Sequence, residues 1–246
     1  MLEKTNMSMV KLIAYELLKL PPIKTEYSPM IISHPFTNSG LFIMPVGNEC
    51  KSMNIVDSME DLKAWQAQMR NQIMSARSAI EISYMMNNAY LLTFLDKVKE
   101  HLSSKDYGEM LAYSWIKEES PNKDPNVAKS KLIKMFRQAD KNYLMSDSER
   151  DEFSKFGDTM QIYRGVGRGK RMGSPNALSW TLDKSKAQWF ASRYGEGDVF
   201  SATIDKKHIL AYFGDSNESE VVVDYKYLQN VTTLSMNNDG LEYGDK

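Results

Sequence analysis

The chain has one cysteine, Cys50, among its 246 residues, which excludes an internal disulfide and a cysteine-built metal cluster. Its three histidines, His34, His101 and His208, are scattered, so a histidine-dominated zinc site is not expected and no metal is assigned. Neither charge is in excess: 31 Lys and Arg stand against 32 Asp and Glu. No global field therefore draws the protein to nucleic acid or to an anionic membrane, and any basic patch has to be local. A long apolar run is missing as well. The first segment, up to Pro21-Pro22, is interrupted by Lys11 and Glu16 and has no small-residue cleavage pattern. Neither a secretory leader nor a membrane span is read there, and the cytoplasm is the expected compartment. What is present is 42% hydrophobic and 26% charged, enough for a sizeable core in one large domain or two small ones.

The pattern up to residue 157 is mainly helical. Val10, Ile13, Ala14, Leu17 and Leu18 follow one helix face, ended by Pro21-Pro22. Phe36 and the run Leu41 to Met44 flank the turn candidate Asn38-Ser39-Gly40, which predicts a hairpin. From Asp57, read as a cap with Glu60 three residues on, Leu62, Trp65, Met69, Ile73, Ala76 and Ile80 recur at helical spacing. Leu91 to Leu102 predicts another helix, and Asp124-Pro125 a helix start whose apolar face is Leu132, Met135, Phe136, Ala139 and Tyr143. Ser146 with Glu149 spells a capping box that opens a short helix towards Phe156.

After Gly157 the grammar changes to short β-prone runs, Gln161 to Arg164, Asp198 to Ile204, Ile209 to Phe213, Glu220 to Tyr225 and Val231 to Leu234. One helix interrupts them, starting near Asp183 with Ala187, Phe190, Ala191 and Tyr194 on one face. The expected organisation is α+β, with a helical region over 1–157 and a strand-rich core over 158–246.

Three pieces of that core bear on chemistry. Tyr163-Arg164-Gly165 ends a strand with a guanidinium fork suited to phosphate or carboxylate, and its glycine admits a close neighbour. In Leu178-Ser179-Trp180-Thr181, strand alternation sets both hydroxyls on one face. Glu218-Ser219-Glu220, if extended, points two carboxylates the same way at the mouth of an apolar strand, a repulsive placement that asks for a reason. Each has an ordinary alternative: a surface arginine, hydroxyls paired with neighbours or water, a solvated loop end.

Taken in this order, arginine, Ser-x-Thr and Glu-x-Glu, the set resembles the mono-ADP-ribosyltransferases of the arginine, serine, glutamate class over about residues 160 to 233. Trp180 at the centre of the middle motif and Thr181 as its last residue depart from the family's Ser-Thr-Ser. The resemblance implies a mixed β-sandwich core, NAD as substrate and a macromolecular acceptor. It implies Glu220 as the carboxylate that holds the ribose and stabilises an oxocarbenium-like transition state, with Ser179 orienting it. Arg164 is then assigned to the NAD diphosphate and Gly165 to the nicotinamide amide. Tyr163, Thr181 and Phe190 complete the NAD-binding set, although Phe190 also reads as core. Glu218 orients or deprotonates the acceptor, protein arginine being favoured; the stretch Tyr212 to Asn217 is then the target-facing turn that precedes the glutamates, and its Tyr212 or Phe213 stacks on a planar acceptor.

The segment Gly165-Val166-Gly167-Arg168-Gly169-Lys170 lacks the spacer and hydroxyl of a P-loop, and Lys170 breaks the dinucleotide fingerprint. With Arg171 it forms a cationic loop able to touch NAD phosphates or an RNA backbone. Other readings are modification of RNA or DNA bases, NAD hydrolysis without an acceptor, and an interaction protein that keeps the fold without turnover. A toxin-like or phage-conflict role is expected, with an antitoxin or inhibitor protein held on the helical half.

Overall fold

The computed structural model describes residues 2–28, 30–46, 49–118, 126–167, 175–193, 195, 197–214 and 218–234. It is a mixture of helices and antiparallel sheets, and the chain divides into two compact units, Met1–Ala128 and Lys129–Lys246. This division falls well before the expected boundary at residue 157. Helices α6 (Lys129–Gln138) and α8 (Asp147–Ser154) pack on strand β9 (Ile209–Phe213), and α7 (Lys141–Leu144) packs on α8, so all three belong with the later strands. Periodicity reports that a segment is helical, not which core it joins.

In the first unit, α1 (Met7–Leu18) starts where the Asn6 side chain accepts from the Met9 amide, and it buries Val10, Ala14, Leu17 and Leu18. A three-stranded sheet follows, β1 (Ile23–Lys24), β2 (Ile31–His34) and β3 (Thr37–Ser39), then a hairpin of β4 (Leu41–Val46) and β5 (Glu49–Asn54). Asn38 and Ser39 thus lie in a strand instead of turning a hairpin. Gly40 links the two sheets, its N–H donating to Met30 O at 2.7 Å and its carbonyl accepting from Ile55 N at 3.0 Å. Helix α2 (Met59–Ser75) is capped by Ser58, which accepts from Asp61 N, and not by Asp57, which pairs with Lys24 at 2.9 Å. The long apolar period from Leu62 to Ile80 spans two helices, since the chain leaves α2 at Ala76 before α3 (Ala79–Tyr84). Helices α4 (Leu91–Val98) and α5 (Ser104–Lys117) complete this core.

His34 is fully buried in this unit. Its Nδ1 accepts from Phe36 N at 3.1 Å, its Nε2 lies 3.0 Å from Leu20 O, and its ring meets Trp65 edge-on at 5.0 Å. A nitrogen that accepts from an N–H has no room for a second proton, so the ring is neutral, and burial lowers its pKa below the usual 6.5. The unfolded chain takes up this proton near pH 6.5 and the folded chain only below that. Stability conferred by the neutral ring is therefore complete above about pH 6.5 and is lost as pH falls, by up to about 1.4 kcal/mol per pH unit. Denaturant midpoints of the first unit are expected to fall between pH 7 and pH 5 and to flatten in His34→Gln; equal slopes in the two proteins would remove the assignment.

The second unit is built on one six-stranded sheet. Its strands are β6 (Thr159–Val166), β7 (Ser179–Thr181), β8 (Asp198–Asp205), β9, β10 (Glu220–Val223) and β11 (Gln229–Leu234), in the order β11-β8-β6-β7-β10-β9. Among the described residues these strands form a single sheet in which every ladder is antiparallel, β6 and β7 meeting at one paired position. Val221, Val222 and Val223 of β10 are buried, as is all of β9, on which α6 and α8 pack. The last expected strands shift slightly, β10 ending at Val223 and β11 beginning at Gln229. Buried Asp224, just past β10, is held by Arg137 of α6 at 2.5 Å.

Helix α9 (Lys184–Ser192) begins at Asp183, whose carboxylate accepts from the Ser185 and Lys186 amides. Its small residues Ala187 and Ala191 pack with Val199 against the sheet, flanked by Tyr163 and Leu234. The approach is close enough that a Cβ on Gly165 would lie 1.8 Å from Ala187 O, and one on Gly197 would lie 2.5 Å from Ala191 O. No helix among the described residues is long and apolar enough to cross a membrane.

Candidate active site

Strand order brings together the three pieces that the sequence separates. β6, which carries Arg164, lies beside β7, which carries Ser179 and Thr181, and β7 lies beside β10, which begins at Glu220. The registers Tyr163↔Thr181, Thr181↔Glu220 and Glu220↔Phe213 set four residues in one row across four strands. Thr181 therefore stands directly opposite Glu220. Ser179 pairs with Val222 and is diagonal to Glu220 on the same face, a Cα separation of about 7–8 Å that a glutamate side chain can span.

Arg164 is one residue beyond this row, where the β6–β7 ladder has opened: Tyr163↔Thr181 is its single paired position. Alternate carbonyls of a strand point to opposite neighbours. Leu178 O accepts from Val223 N on the β10 side, so Ser179 O faces the opening, and Arg164 Nη1 donates to it at 2.7 Å. The pleat turns Arg164 and Tyr163 to opposite faces, yet the fork remains in the field of Glu220, which raises its pKa while burial, the larger effect, pulls it down to about 10. The guanidinium stays charged at neutral pH. Its Nε is buried and has no hydrogen-bond partner, a donor that an anionic ligand group could satisfy.

The two glutamates are not extended. Ser219 between them has φ of 45°, so the pair does not share one strand face, contrary to the extended geometry expected from the sequence. Thr181 Oγ1 donates to Glu218 O at 2.6 Å and accepts from Asp183 N at 3.0 Å, and Leu182 N donates to Ser219 O at 3.0 Å. The second hydroxyl of the Ser-x-Thr motif thus ties β7 to the glutamate turn.

The other expected site residues are placed as follows. Tyr212 and Phe213 are buried, with 2% and 1% of their surface exposed, so neither ring can stack on an incoming acceptor. The neighbour that Gly165 admits is the backbone of α9, which packs where a side chain would be, and this accounts for the glycine without a nicotinamide contact. Tyr163 is half-buried against Ala187, Ala191 and Val199. Phe190 is half-buried and meets exposed Trp189 edge-on at 5.0 Å, with Arg193 over the Trp189 ring. The cationic loop Arg168, Lys170 and Arg171, the turn residues Asp215 to Asn217, Tyr194 and the start Asp124-Pro125 lie outside the described residues.

Sequence reasoning read Glu149 as a helix cap alone. It is one: Ser146 and Glu149 bond reciprocally at the start of α8. The same carboxylate, 6% exposed, also accepts from Gly214 N at 3.0 Å, just before the glutamate turn. Nothing in the spacing of Glu149 and Gly214 announces that contact. Among the described residues no group of three or more His, Cys, Asp or Glu side chains is placed to hold a metal ion. Comparison of the chain with family models, with curated proteins and with solved structures finds no match.

Proposed function

We propose that this chain is an NAD-dependent mono-ADP-ribosyltransferase with an ADP-ribosyltransferase-like core, transferring ADP-ribose to a macromolecule, protein arginine favoured. The observation that carries the reading is the adjacency of β6, β7 and β10, with the Arg164 fork on the Ser179 carbonyl and within the field of Glu220. An arginine with a buried, unpartnered Nε suits a diphosphate, and a carboxylate nearby suits a ribose that becomes cationic.

In this reading Arg164 binds the NAD diphosphate. The bond between ribose C1′ and the nicotinamide nitrogen breaks, its electron pair leaving with the nicotinamide, whose positive ring nitrogen becomes neutral. Positive charge develops on C1′, and Glu220 stabilises it from the ribose hydroxyl side. The acceptor nitrogen bonds to C1′ and its proton passes to Glu218. Ser179 reaches Glu220 diagonally, while Thr181 holds the backbone of the turn.

Incubation of the protein with NAD labelled in the ADP-ribose moiety and a bacterial lysate, followed by protease or ribonuclease, tests this. Label released by protease is expected, ribonuclease release would reassign the acceptor to RNA, and neither NAD consumption nor label transfer would overturn the transferase.

A further inference from the structure

Helix α9 buries one side and leaves the other to solvent. Ala187 and Ala191 are fully buried against the sheet, while Ser185, Gln188, Trp189, Ser192 and Arg193 are exposed. Of the four tryptophans in the chain, Trp65, Trp115 and Trp180 keep 5%, 2% and 2% of their surface exposed, whereas Trp189 is 54% exposed. One exposed apolar side chain needs no explanation by itself. What surrounds this one does.

Lys186, Trp189 and Arg193 stand at i, i+3 and i+7 on one ridge of the helix, so the indole lies between two cations. From Lys184 to Arg193 there are three cations and no acid, in a chain whose net charge is -1. Both lysines fall in the first turn, where the helix dipole favours acids, so their charge works against the helix that carries them. Asp183 N donates to the Thr181 hydroxyl and Leu182 N to Ser219 O, which sets the start of α9 beside the glutamate turn.

We propose that the outer ridge of α9 is a docking surface for an acidic segment of a partner protein, with Trp189 as the apolar anchor between Lys186 and Arg193. Charge complementarity selects the occupant, because three cations without an acid attract a polyanionic segment to a chain that is otherwise slightly acidic. Between the two kinds of polyanion, protein and single-stranded nucleic acid, shape decides. Nucleic acid is held by successive open aromatic faces along a groove, and α9 offers one exposed indole on a convex helix, with Arg193 Cζ 5.3 Å above the ring. Tryptophan and arginine are the side chains that dominate protein interfaces. That the partner is the ADP-ribose acceptor rests on the transferase reading; the docking does not.

Because the other three tryptophans are buried, collisional quenching of the intact protein reports Trp189. Relative to their effects on free N-acetyltryptophanamide, iodide is expected to quench it about twofold or more better than caesium, since the cations concentrate an anion; equal relative quenching would overturn the cationic ridge. The binding probe is a labelled glutamate-rich peptide with a central pair of leucines, compared with its lysine counterpart and with labelled oligouridylate. The glutamate peptide is expected to bind and to shield Trp189 from acrylamide, and Trp189→Ala and Lys186→Glu are each expected to weaken it about tenfold or more. In the active enzyme Trp189→Ala should raise KM for a protein acceptor more than it changes NAD hydrolysis. No binding of the glutamate peptide, equal binding of the lysine peptide, tighter binding of oligouridylate, or unchanged affinity in either variant overturns the proposal. A parent protein that binds the glutamate peptide but never consumes NAD upholds the docking surface and overturns the transferase.

Discussion

Gly165→Ala is expected to unfold or severely destabilise the Lys129–Lys246 unit. The added methyl would lie 1.8 Å from Ala187 O, 2.7 Å from Ala187 C and 2.8 Å from Ala191 N. All three are backbone atoms of α9, which cannot rotate away as a side-chain tip would. Overpacking costs about 1–3 kcal/mol where side chains give way, and here the helix itself has to lift from β6, so a loss of about 3 kcal/mol or more is expected. For a unit of this size that lowers the melting midpoint by roughly 10 °C or more. Gly157→Ala is the control, because its methyl meets only Thr159 O at 3.8 Å, an ordinary contact. Comparable melting of Gly165→Ala and the parent would mean that α9 does not press on β6.

Glu220→Gln is expected to lower NAD cleavage by about 10²-fold or more, about 2.7 kcal/mol of transition-state stabilisation. The substitution keeps shape and removes charge at a carboxylate whose field reaches Arg164. Folding should be little affected, since Glu220 is half-buried at the start of β10 and its backbone pairing with Thr181 and Phe213 does not depend on the carboxylate. Without Glu220 the guanidinium pKa should drop below about 10 yet remain above neutrality, so diphosphate binding and KM should change less than kcat. Glu218→Gln should separate the two roles, suppressing transfer to the acceptor more than background NAD hydrolysis. Equal labelling by Glu220→Gln and the parent would remove the catalytic assignment.

Local structure was largely legible. The capping box at Ser146, a helix start near Asp183, apolar periodicity in α1 and the β-branched run of β10 were all readable, because each depends on contacts within a few residues. Where two candidates competed locally, the choice was tertiary. Asp57 lost the cap of α2 to Ser58 while pairing with Lys24, and Asn38-Ser39 was drawn into a strand beside β2. The motif residues were legible as types, but their roles depended on neighbours distant in sequence. Gly165 accommodates a helix that starts some twenty residues later, Thr181 grips Glu218 O, and Tyr212 and Phe213 look like recognition aromatics until burial shows them to be core.

The sequence by itself determined that the protein has a helical part and a strand-rich part, and which arginine, hydroxyls and glutamates stand at strand ends, since these follow from periodicity and capping within one segment. Only the tertiary structure decided that β6, β7 and β10 are neighbours, that their ladder opens at Arg164, and that Ser219 bends the glutamate pair out of a shared face. Strand pairing is a contact between segments far apart in the chain, and a left-handed serine is held by groups on other elements, so neither has a local signature to read.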